Sequence, residues 1–199
     1  MGLVVADVAA EILTFWFGDP AVADGDYGQQ RRIWFHKDPE FDQQVRERFL
    51  ETYELARTGL YDGWGETPPG ALALVVLLDQ LPRNMFRGLP KSFEADAQAL
   101  AVAQQAIAQG FDLALIPVER VFLYLPLEHS EDMAHQDQSV ALFEVLVQDI
   151  PELQTTLDYA YRHRDVIGRF GRFPHRNEIL GRLSTPEEVQ FLQQRGSRF

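Results

Sequence analysis

DPEFDQQVRERFLETYELARTG, the stretch from Asp38 to Gly59, has the marks of one amphipathic helix. Asp38 is a capping residue, and Pro39 fits the first helical position, where its missing N–H costs nothing. Phe41, Val45, Phe49, Tyr53 and Ala56 recur every three or four residues and so line one face. The run extends to about Thr58, with Gly59 as its stop.

The same signals recur on both sides. Upstream, MGLVVADVAAEILTFWFGD has no basic start, and Asp7 and Glu11 interrupt its apolar stretch. It reads as an amphipathic helix and not as a signal peptide. Downstream, Thr67-Pro68 opens a helix to about Gln80, which Leu81-Pro82 ends. Ser92 caps a helix from Phe93 to Gln109, closed by Gly110. Ile116-Pro117 begins a short apolar helix reaching Leu125-Pro126. Ser130 caps the next, with Met133, Val140, Phe143, Val147 and Ile150 along one face. Ile150-Pro151 leads into a helix ending near Phe170 with Gly171 behind it. A short helical stretch begins near His175, and Thr185-Pro186 starts the last helix.

Strand signals are nearly absent, and the short, proline-marked connections suit antiparallel helix pairs. The expected fold is all-α, a single domain over residues 1–199. Phe15, Trp16, Phe17, Trp34 and Phe35 are expected in its core. With 46% hydrophobic and 24% charged residues, the composition is that of a folded globular chain. No apolar run approaches the ~20 residues that span a bilayer.

There is no cysteine, which excludes disulfides, thiolate metal sites and a cysteine nucleophile and suits a cytoplasmic location. The net charge of −12 disfavours nucleic acid and anionic membranes as partners. Only Lys37 and Lys91 are lysines; the other basic residues are arginines. Six arginines fall between Arg162 and Arg182 against Asp165 and Glu178. Arginine forks suit carboxylate or phosphate, and they suit internal pairing with Asp and Glu equally well.

Several polar residues stand where a helical core calls for apolar ones. Asp79 continues the stripe of Leu72, Val75 and Val76, with Arg83, Asn84 and Arg87 just beyond. A buried carboxylate needs a partner. It either orients an arginine that holds a ligand or locks a turn. His163 lies three residues after Ala160 and four before Ile167, on the apolar side of its helix. Arg172, His175, Arg176 and Asn177 follow at a tight turn and helix start, an arrangement suited to an anion or to a charged, solvated turn. Glu128-His129-Ser130-Glu131 gives helix capping or an acid–base pair of His129 with Glu131.

Asp132-x-x-His135 has the spacing of helical carboxylate metal sites, but a second such motif is lacking. No phosphate-cradling glycine loop and no Gly-x-Ser-x-Gly is present. Neither a metal nor a cofactor is expected.

Three motifs, LDQLPRNMFRG (Leu78–Gly88), YLPLEHSE (Tyr124–Glu131) and RFGRFPHRN (Arg169–Asn177), resemble the signatures of the bacterial domain-of-unknown-function family 924. Phe15–Gly18 and the Trp34-Phe35 pair fit it too. Leu81 and Glu128 stand where that family usually carries Phe and Met. The resemblance implies helix pairs similar to a tetratricopeptide-repeat (TPR-like) right-handed superhelix and implies no established activity.

The leading expectation is a pocket for an anionic small molecule or acidic peptide end. Asp79, Arg83, Asn84, Arg87, Arg172, His175, Arg176 and Asn177 would bind it. The alternative is an enzyme in which His129 or His163 is the general base, with Glu131 beside it. A third reading is a TPR-like scaffold for partner proteins. A homodimer is compatible with all three.

Overall fold

The computed structural model describes residues 2–198 and, in the first helix, side chains from residue 8 onward. The described residues form helices and turns, with no strand among them. No described helix is long and apolar enough to cross a membrane. Contacts gather the chain into two compact units. One holds residues 1–87 and 91–126, the other residues 88–90 and 127–199.

The first unit starts with α1 (Gly2–Phe17) and α2 (Pro39–Arg57). The Asp7 side chain, expected to interrupt the apolar stretch, lies outside those described. In α2 the Asp38 carboxylate accepts from the N–H groups of Glu40 and Phe41 at 3.0 and 3.1 Å, a cap worth about 1 kcal/mol. All five residues of the predicted stripe are buried. Trp16, Phe17 and Trp34 pack with Phe122, whereas Phe35 is 66% exposed and Phe15 is half-buried. Phe35 lies over the Phe122 ring from outside, so its partner is the core's edge and not its interior.

Helix α3 (Pro68–Val75) does not stop at Leu81-Pro82. It passes through a π-helical turn, Val76–Gln80, into α4 (Leu81–Met85). Proline lacks an N–H and its ring collides with the carbonyl four residues back. The wider turn, in which Leu81 N–H reaches Val76 O, carries the axis past Pro82. Helix α5 (Asp96–Ala108) begins later than expected, because Pro90–Phe93 forms a 3-10 turn and Ser92 does not cap it. Helix α6 (Pro117–Glu128) runs through Pro126 and delivers its last residues, Leu127 and Glu128, to the second unit.

The second unit is built on α7 (Met133–Asp149) and α8 (Gln154–Phe170). Tyr161 donates to Glu144, and Arg164 pairs with Asp137. As one partner moves up α7 the other moves down α8, so the pair is antiparallel. The cap of α7 is Asp132 and not Ser130: its carboxylate accepts from Ala134 N–H at 2.8 Å. Gly171, at φ 68°, ends α8 in the left-handed conformation expected of it. Val166, Ile167 and Phe173 form a small core flanked by Phe170 and Phe191 of α9 (Pro186–Leu192).

Candidate functional site

In the first unit, the π-helical turn buries Asp79 completely. Gln80 donates to its Oδ2, and Arg83 stands 3.5 Å from Oδ1. The same guanidinium meets Asp96 at 2.8 Å, donates to Ser92 O and covers the Phe93 ring at 4.6 Å. Arg87 grips Asp42 with two 2.8 Å bonds, and Asn84 adds a third of equal length. Burial pushes the Asp42 carboxyl up, but the bonds from Arg87 and Asn84 outweigh it and hold it below its ordinary value. These bonds tie α4 to α2.

In the second unit, α6 ends at Glu128 while α8 presents His163, and both side chains are buried. His163 Nδ1 lies 2.9 Å from Glu128 Oε1 and 2.9 Å from Tyr159 O. Both neighbours accept, so Nδ1 is the nitrogen that carries the proton. The next rings are close. His129 is 6.4 Å from His163, centroid to centroid. Phe173 meets His163 edge-on at 5.5 Å and His175 at 5.6 Å. The Arg176 guanidinium lies over the Phe173 ring, 4.6 Å from its centre. His129 and His175 are half-buried, and Arg176 is buried.

A second set of charges fixes the loop that carries Phe173, His175 and Arg176. Glu131 accepts two bonds from Arg182, at 2.7 and 3.0 Å, and one from Phe173 N–H at 2.8 Å. Burial raises the Glu131 carboxyl; the Arg182 and Phe173 bonds outweigh this and hold it below its ordinary value. Arg182 also bonds Asn177 Oδ1 at 2.9 Å and Phe173 O at 3.0 Å. Asn177 donates to Ser184 and to Glu188, and Glu188 holds Arg172 through both oxygens. The Arg172 fork is the main reason that the Glu188 carboxyl is held down at about 2.

The second unit therefore brings together His129, His163, His175 and Arg176 from the sequence expectation. It places Glu131, Arg172 and Asn177 in the adjoining network. The sequence reading gave no site role to Glu128 or Arg182. Glu128 touches His129 in sequence but pairs with His163, a contact no local pattern signals.

The family described as bacterial protein of unknown function (DUF924) matches residues 12–196. The chain belongs to this family. A solved structure of a protein of unknown function from Agrobacterium tumefaciens, ATU0120, is similar over 95% of this chain and 98% of that one. The two are 41% identical, with a TM-score of 0.82. No curated protein matches. The three DUF924-like motifs supply most of the residues just described. The Glu128–His163 pair joins the second motif to α8, six residues before the third begins.

Proposed function

We propose that the second unit binds an anionic small molecule, or the acidic end of a peptide, through the cluster around Phe173. The observation that carries this reading is the gathering of His163, His175 and Arg176 about the buried Phe173 ring, with a third imidazole, His129, beside His163. Imidazolium and guanidinium donors favour carboxylate or phosphate, and burial strengthens each such bond. His129 and His175 are half-buried, so each keeps part of its ring within reach of solvent; the network of Glu131, Arg182, Asn177, Glu188 and Arg172 holds the loop in place. In the first unit, Arg83, Asn84 and Arg87 have carboxylate partners there, which favours a structural role for them.

A specific observation favours catalysis as the second reading. Glu128 fixes the proton of His163 on Nδ1, as a carboxylate does for a histidine general base. The other ring nitrogen, Nε2, is then the one that accepts a substrate proton.

The test is thermal unfolding with inorganic phosphate and with a panel of di- and tricarboxylates. A ligand of this class raises Tm in proportion to its occupancy. His175→Ala and Arg176→Ala remove that rise while far-UV circular dichroism stays helical. An unchanged ligand-induced rise in both variants sinks the proposal. Recovery of the ligand unaltered supports binding alone, and its conversion supports the catalytic reading.

A further inference from the structure

Gln136 is the least expected residue in the interior of the second unit. It is completely buried on the first turn of α7. Its amide nitrogen donates to Glu128 O and Ser130 O, both at 2.6 Å, and lies 3.5 Å from Leu127 O. Those carbonyls belong to the end of α6 and the turn after it, where a helix leaves its last C=O groups without intrahelical donors. Three carbonyl oxygens around one nitrogen fix the orientation of the amide, since the flipped form would set oxygen against oxygen.

The other half of the same amide shows how strongly this arrangement is favoured. Gln136 Oε1 is buried with no hydrogen-bond partner. An unpaired acceptor is costly inside a protein. The side chain nevertheless keeps its nitrogen on the 127–130 turn, and an aliphatic residue of the same size avoids the cost of Oε1 altogether. What Gln136 supplies is therefore the clamp. The residues it clamps are the backbone of Glu128 and its neighbours, from which the His163 partner projects.

We infer that Gln136 is a positioning residue that sets the Glu128 carboxylate against His163 Nδ1 by pinning the C-terminal turn of α6. The inference rests on the reading of Glu128 and His163 as a working pair. It concerns the pair's geometry and needs no ligand to test.

The experiment is proton NMR of the full chain, following the hydrogen-bonded Nδ1–H of His163. Its signal is assigned by its absence in His163→Ala. Glu128→Gln provides the reference for a weakened pair, and the signal moves upfield in it or is lost to water exchange. Gln136→Met keeps the volume and removes the donors; Gln136→Leu removes them with a shorter apolar side chain, giving a second chance of a folded variant. Both are expected to move the signal in the direction of Glu128→Gln, whereas Val140→Ala, on the same buried face of α7, lowers Tm and leaves it in place. A folded Gln136 variant with the wild-type signal overturns the inference alone, provided that Glu128→Gln moves it. A signal unmoved in Glu128→Gln overturns both the inference and the pair on which it rests.

Discussion

His163 Nδ1 and Glu128 Oε1 lie 2.9 Å apart, with both side chains shut away from water. The buried Glu128 carboxylate is compensated by His163, while His163 also meets Tyr159 O. His163→Ala should therefore cost about 3–5 kcal/mol, because a carboxylate is left buried alone. The double replacement Glu128→Leu with His163→Leu should cost far less, and a net stabilisation is within the usual range for apolar substitution of a buried pair. Urea unfolding of the two single variants and the double one makes a cycle. A single His163→Ala loss below about 1 kcal/mol would contradict the buried pair.

Arg182 holds Glu131 by two bonds and Phe173 O by a third, so one guanidinium ties the middle of the 171–177 loop to the start of α7's cap segment through Glu131. Arg182→Ala should open that loop locally. The Phe173 amide, which donates to Glu131 Oε1, is the reporter. Its hydrogen exchange should quicken tenfold or more, about 1.4 kcal/mol of lost protection. Arg182→Lys, which keeps the charge but not the fork, should fall between the two. Exchange at Phe173 unchanged in Arg182→Ala would mean that the loop is held without Arg182, by its apolar contacts and the bonds of Arg172 and Asn177.

The helices were legible where several local signals agree. In α2 a cap, a proline and a stripe point the same way, and the observed bounds follow them. Single signals misled. Ser92 and Ser130 both look like caps, yet Ser130 Oγ accepts from Asp132 N–H and meets His135 Nδ1, and Asp132 caps α7 instead. Pro82 looks like a stop because the π-helical turn that accommodates it leaves no mark in the sequence. The site was partly legible. Periodicity around Ala160 and Ile167 placed His163 inside. The partner, Glu128, is fixed by helix packing, and no spacing rule links positions 128 and 163. Arg172 and Asn177 read as ligand donors because Glu188 and Arg182, which engage them, come later in the chain.

Gly70 follows the cap Thr67, at a point where a Cβ would stand 2.3 Å from Trp64 O and 2.8 Å from Thr67 Oγ1. The nearer atom is backbone and cannot swing aside. Gly70→Ala should cost about 1–3 kcal/mol through overpacking, although alanine is the better helix former. Gly63 makes the control, since nothing lies within 4 Å of a Cβ there. Gly63→Ala should be neutral or stabilise by up to about 1 kcal/mol. Equal unfolding midpoints for the two variants would remove the steric argument.

Glu188 gives the chain a defined acid sensitivity. Its carboxyl is held at about 2 by the Arg172 fork first, with the Thr185 N–H and Asn177 bonds adding to it against the opposing effect of burial. An unfolded glutamate titrates near ~4.3. A folded value below the unfolded one stabilises the native state above the unfolded value, and that contribution is lost as pH falls through the folded value. Glu188→Gln should therefore lower Tm fully at pH 6–7, where the wild-type carboxylate is charged in both states. The gap between the two proteins should close between about pH 4.5 and about pH 2. Thermal unfolding of both at half-unit steps of pH tests this, and Arg172→Gln should show the same window because it removes the other half of the fork. A gap that stays constant down to pH 2 would show that the loss does not come from the charge of Glu188, since the Arg172, Asn177 and Thr185 bonds all favour the ionised carboxylate.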